Sequence, residues 1–258
     1  MKKLILASAI AAAFIGNTAQ AEDAAAAAPA AEVPDNVVAY NVGVASEYRY
    51  RGISQSRKDP AFSLGVDYTN NPTGFYAGTW ASTIKWVKDD GGDGNVEWDI
   101  YGGKRGEIGG GFTYDVGGLY YYYPSNNLKS VSGVGKSADT FELYGQIGYG
   151  PAYLKYSHAL TDTFATGDSG SYYIDAGVNY PIDETLVLNL HYGHQSFNNN
   201  SAFSYNDWKI GLTKDFGIVS GAIAVIGTDA DHASYSGSAW GNTYVGSTTA
   251  VVSLTKTF

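Results

Sequence analysis

The chain is 258 residues long and carries 16 Lys and Arg against 25 Asp and Glu, a formal charge of −9 that offers no basic surface to nucleic acid. It has no cysteine, so an exported form relies on packing and backbone hydrogen bonds rather than disulfides. Beyond the first twenty or so residues no stretch approaches eighteen consecutive apolar residues, which excludes a helical membrane protein.

The N-terminal run MKKLILASAIAAAFIGNTAQA has a basic start at Lys2 and Lys3, an apolar stretch from Leu4 to Ile15, and Ala19-Gln20-Ala21 as an A-x-A cleavage site. It predicts a signal peptide over residues 1–21, with cleavage near Ala21. Residues 22–35, beginning EDAAAAAPAAEVP, form an Ala/Pro-rich low-complexity tether. The remainder, residues 36–258, is expected to be a single β domain.

From Val37 onward, period-two alternation dominates. In VVAYNVGVASEYRYR, read as one strand, Val38, Tyr40, Val42, Val44, Tyr48 and Tyr50 share a face, opposite Asn41, Glu47, Arg49 and Arg51. AFSLGVDYTN sets Phe62, Leu64, Val66 and Tyr68 against Ser63, Gly65, Asp67 and Thr69. FYAGTWASTIKWV places Tyr76, Trp80, Ile84 and Trp86 on one parity and Thr79, Thr83 and Lys85 on the other. NVEWDIYGGKR, GFTYDVGGLYYYY and TFELYGQIGYG continue the pattern, as do AYLKYSHAL, SYYIDAGVNY, TLVLNLHYG, DWKIGLTKDF, GIVSGAIAVIG and TAVVSLTKTF. About twelve strands of roughly ten residues result, a length suited to crossing a bilayer at a tilt.

Alternation alone does not say which face meets water. The connections between strands alternate short and long, as periplasmic turns and extracellular loops do. Aromatic residues gather near strand ends, where rings settle at a lipid–water boundary. The last strand ends on Phe258, with Leu254, Val252 and Ala250 on the same face, a terminus of the kind read by barrel-assembly machinery. Lys256 shares that face near the rim, from which its ammonium can snorkel to the headgroups. An Arg or Lys on the lipid face near midplane costs about 2–4 kcal/mol, so the charges of the first strand belong inside and its tyrosines outside. The fold class is therefore all-β: a transmembrane antiparallel up-and-down β-barrel of about twelve strands, with lipid as its outer partner.

Parity assigns to the lumen Glu47, Arg49, Arg51, Lys85, Glu97, Asp99, Arg105, Asp115, Glu142, Lys155, Asp175, His191 and Lys209. Both signs are present, as in a wall that filters solutes by charge; Arg–Glu pairs there also brace neighbouring strands, and His191 is a polar filler. The longest connection, residues 125–139, is expected to fold inward and constrict the bore. Acidic loop residues Asp89, Asp90, Asp93, Asp229 and Asp231 are solvated, since DDGGDG lacks the terminal glutamate of a calcium loop. No metal, no cofactor and no catalytic residue is assigned.

The ordered run SEYRYRGISQSRKDPAFSLGVDY, followed by GFYAGTWAS, VEWDIYGG, YDVGGLYYYYP and FELYGQIGYG, resembles the TorF-family putative porins of Gram-negative bacteria. The resemblance implies an outer-membrane barrel and a diffusion channel, and brings no substrate or catalytic residue. The expected function is passive passage of small hydrophilic solutes through a narrow charged lumen. Two alternatives remain: a closed structural or adhesive barrel whose loops bind partners, and an outer-membrane hydrolase. For the latter, His158 faces outward but Ser157 faces the other way, and no G-x-S-x-G, H-E-x-x-H or P-loop is present.

Overall fold

The computed structural model describes residues 34–237 and 242–258; the predicted signal peptide, and the predicted tether up to residue 33, lie outside them. Twelve strands close into an antiparallel barrel: β1 (Asn36–Ala45), β4 (Ala61–Asn70), β5 (Phe75–Thr83), β6 (Val96–Gly109), β7 (Phe112–Tyr122), β8 (Thr140–Tyr149), β9 (Ala152–Ala159), β10 (Tyr172–Pro181), β11 (Leu186–Ser196), β12 (Tyr205–Asp215), β13 (Ser220–Thr228) and β14 (Thr249–Thr257). Each pairs with the next, and β1 meets β14 through Asn41↔Thr257 to Ala45↔Ser253, so no edge is left open. Two further short strands, β2 (Arg49–Tyr50) and β3 (Ile53–Ser54), pair only with each other.

The connections alternate as expected. Turns of two to four residues join β4 to β5, β6 to β7, β8 to β9, β10 to β11 and β12 to β13 on the rim that holds the C-terminus. Loops of eight to twenty residues occupy the other rim, and the longest is residues 229–248 rather than 125–139. In the turn after β10, Asp183 Oδ1 accepts from Thr185 N, Thr185 Oγ1 and Leu186 N. Those bonds, led by the one from the Thr185 backbone, hold its carboxyl below the usual range.

The outside of the wall is apolar and exposed: Phe62, Leu64, Ile210, Ile223, Val252 and Leu254 all face out. Along the strands the outward parity carries formal charge at three positions, Lys104, Lys214 and Lys256. All three sit close to the turn rim, where Lys104 lies over the Phe75 ring and Lys256 over Phe258. An apolar band bounded by a ring of lysines matches a lipid-facing surface whose ammoniums reach headgroups.

Inside, tyrosines lie flat on glycines of the neighbouring strand. Tyr101 covers Gly78, Tyr76 covers Gly103, Tyr144 covers Gly117 and Tyr153 covers Gly177, each so closely that a Cβ on the glycine would sit within 2.7 Å of the ring or its hydroxyl. The high Tyr and Gly content thus serves a narrow bore, in which large rings line the wall without projecting across it.

Candidate functional site

The chain leaves the wall where β1 ends. Ser46 N donates to Val252 O and Val252 N to Ser46 Oγ, and the next residues turn inward instead of prolonging the strand. Arg49↔Ser54 and Tyr50↔Ile53 pair around Arg51 (φ 46) and Gly52 (φ 81), two positive values that define the tight turn of a two-residue hairpin. Gly52 is required twice over, by its φ and because a Cβ there would meet Asp207 Cβ at 2.6 Å.

This hairpin crosses the lumen. At its tip, Arg51 makes a bidentate pair with Glu142 on β8 (3.0 and 2.6 Å), donates to Gln195 on β11 (2.7 Å), and stacks on Tyr50 and Tyr173. Tyr48 donates to Glu97 on β6 (2.5 Å), and the Tyr50 hydroxyl lies 2.6 Å from that of Tyr121 on β7. Arg49 donates to Gly52 O and its Nη2 pairs with Glu47 at 3.1 Å, while its Nε has no hydrogen-bond acceptor. The backbone of residues 47–56 bonds to itself and to two other loops, through Ser54 N to Val245 O and Lys85 N to Gln55 O; side chains make its ties to the wall.

The expectation that Tyr48 and Tyr50 meet lipid is therefore corrected. Glu47, Arg49 and Arg51 lie inside on the hairpin rather than on a wall strand, and the tyrosines are inside with them: Tyr48 is 3% exposed. The wall strand stops at Ala45, so its parity no longer governs the residues that follow.

Around the hairpin the wall supplies the other predicted charges. Glu97 accepts from Tyr48 and, at 2.7 Å, from Tyr123, with Asp99 buried beside it on β6. His191 bridges two carboxylates, Nδ1 to Asp175 Oδ1 and Nε2 to Asp207 Oδ1, both at 2.7 Å. Asp115 accepts from Tyr76 at 2.6 Å, and Arg105 reaches Thr69 at 3.3 Å and lies over Tyr76. Lys155, inward on β9, lies over the Tyr144 ring, and Lys209 faces inward on β12.

Three expectations fail. Lys85 is beyond the end of β5 and pairs with Asp59 on the loop rim, partly exposed, so it does not line the bore. On β5 itself the faces are reversed: Tyr76 reaches Asp115, and Trp80 meets the Tyr48 ring edge-on at 5.4 Å, so both point inward. The loop that enters the lumen is residues 46–60. Residues 123–139 instead cap the loop rim, packing Tyr123 against Trp86 of the one-turn helix α1 (Trp86–Asp89) and burying Leu128 and Ala138. Sequence reasoning also left Asp67 and Asp207 off the site. Asp207 shares parity with Lys209 two residues on, and Asp67 shares parity with Ser63 and Thr69, so the signal for both was present. His158 faces outward, 3.0 Å from the Tyr156 hydroxyl, while Ser157 is buried in the lumen.

A small cavity lies beside the hairpin, lined by Arg49, Arg51, Glu142, Lys155, Asp175, His191, Asp207 and Lys209 among others. Towards the turn rim the lumen opens. Arg105, Tyr144, Gln146, Asn179, Asn189 and Thr213 face inward and are half-buried, and Asn189 links Asn179 to Thr213 by hydrogen bonds of 2.8 and 2.7 Å. Among the described residues no group of three or more His, Asp or Glu is placed to hold a metal ion.

A closed twelve-stranded barrel, apolar outside and ionised inside, defines the class: an outer-membrane-type β-barrel. The chain belongs to Gcw_chp, a bacterial family of unknown function whose model matches residues 26–258. No curated protein sequence matches it. Among solved structures, a KdgM porin superposes with a TM-score of 0.53 at 8% identity, covering 86% of this chain and 98% of that one. A KdgM porin in complex with disordered oligogalacturonate gives 0.52 at 6% identity over the same shares. A NanC porin gives 0.49 at 10% identity, covering 86% of this chain and 99% of that one. At such identities the likeness is one of fold.

Proposed function

We propose that this protein is a porin-like outer-membrane channel for small hydrophilic solutes, in which the hairpin of residues 46–60 narrows the conduit from the loop side. The observation that carries this reading is the hairpin's attachment. It crosses a polar bore whose turn-side half is half-exposed, and side chains rather than a backbone ladder tie it to the wall. Such a plug can shift without breaking any wall strand. The resemblance to TorF-family putative porins and the barrel fold shared with KdgM porins support the same reading. It entails export with cleavage near Ala21 and assembly through the terminal strand, whose Phe258 is exposed beside Tyr40.

A second reading, a closed barrel whose loops bind partners, is favoured by one observation. At the level of the hairpin Arg49, Glu97, Asp99 and Asp207 are each at most 3% exposed, so no open bore passes between them. Planar-bilayer recording of the refolded protein separates the two. The channel reading expects discrete steps that grow severalfold when residues 47–56 are replaced by a short Gly/Ser linker. Silence from both proteins at every voltage would establish the closed barrel.

A further inference from the structure

We propose that the cavity beside the hairpin is a binding site for a small solute bearing an oxyanion, a carboxylate or phosphate, held between Lys155 and Lys209. Both lysines line that cavity, and they are only 6% and 7% exposed. Among the described residues neither makes an ion pair or a hydrogen bond; Lys155 lies over the face of Tyr144, and the carboxylates nearest the two lysines, Asp115, Asp175, Glu142 and Asp207, act on them only from beyond pairing distance. Burying an ammonium without an acceptor is costly unless something supplies one.

The carboxylates around them are already engaged. Glu142 gives both oxygens to Arg51. Asp175 and Asp207 hold the two nitrogens of His191, and Asp207 also accepts from Tyr173 at 2.8 Å. Asp115, one strand beyond Gln146, accepts from Tyr76. The donors left over are therefore cationic: the two lysines, and Nε of Arg49 on the hairpin. Lys155 on β9 and Lys209 on β12 stand three strand spacings apart, roughly 14 Å along the wall, so their side chains converge on a solute from two sides. In a chain of net charge −9 this cavity thus holds two ammoniums that no carboxylate pairs. Anions meet that demand with acceptors and charge together; neutral polyols bring acceptors without charge, and cations bring neither.

The site names a solute class for the channel proposed above, but binding does not itself require conduction. The test is calorimetric titration of the refolded barrel in micelles with citrate, inorganic phosphate and glucose as probes. Saturable binding of citrate or phosphate, and none of glucose, is expected. Lys155→Gln and Lys209→Gln should each weaken it about tenfold, the worth of one charge-assisted hydrogen bond. Lys155→Arg and Lys209→Arg should keep it, and Lys104→Gln on the outer face should leave it unchanged. The proposal is overturned if wild type binds neither anion, if glucose binds as tightly, or if the double Gln variant binds as wild type does. Bilayer recordings on the same preparations keep the two ideas apart: steps without anion binding sink only the site, and anion binding without steps sinks only the channel.

Discussion

The loop-side and turn-side halves of the lumen are built from the same strands yet packed in opposite ways. On the loop side, charges pair across the bore through the hairpin, and the groups that do so are almost fully buried. On the turn side, charges and amides pair along the wall, Asn189 with Asn179 and Thr213, Tyr76 with Asp115, and all of these but the buried Asp115 keep part of their exposure. Cross-bore pairing makes a plug, and along-wall pairing makes a lining. For the channel proposed above, the difference places the decision between open and shut in the ten or so residues after β1 rather than in the barrel.

The largest effect should come from cutting the tie at the hairpin tip. Glu142→Ala leaves the Arg51 guanidinium buried without its carboxylate, and breaking a buried pair in this way costs about 3–5 kcal/mol. The loss falls on hairpin docking, since the backbone ladders of β8 remain. Trypsin treatment of the refolded variant, with the cut sites mapped by mass, should show cleavage after Arg51 where wild type resists. Resistance equal to wild type would mean that the other contacts hold the plug alone, and the contrast between the two halves would lose its basis.

Much of this arrangement was legible in the sequence, and the failures have a common cause. On strands that carry charge, such as β6 with Glu97 and Asp99 or β12 with Lys209, the cost of an ion in lipid fixes the face. On β5 no residue from Phe75 to Thr83 is charged. Rings are at home on either side of such a wall, and Tyr76 and Trp80 turned inward against expectation. The hairpin was missed for a related reason. SEYRYRG continues the alternation of β1 without interruption, and only the Arg51-Gly52 turn, which needs positive φ at both positions, marks the departure. A local pattern does not reveal that Glu142 and Gln195, 91 and 144 residues away, provide the docking site.

A smaller effect tests the boundary between the halves from outside. Ile210, midway along β12, faces lipid, and Ile210→Arg should lower unfolding free energy in vesicles by about 2–4 kcal/mol. Lys214→Arg, four residues nearer the turn rim, should change it by about zero, since a cation there reaches the headgroups. Equal urea midpoints for the two variants would contradict the lipid-facing assignment of the whole outer surface.

The smallest effect belongs to the turn-side lining. Asn189→Ala removes one hydrogen bond to Asn179 and one from Thr213, but these groups are half-exposed, and water replaces what is lost. The expected cost is about 1 kcal/mol in the same vesicle unfolding assay. Conductance should hardly move, because the narrowest level lies at the hairpin. A stability loss as large as that at Glu142 would show the turn-side amides to be as tightly sequestered as the plug. A marked rise in conductance would put the constriction on the wrong side of the barrel. Either result removes the distinction between a plug that decides passage and a lining that only wets the way to it.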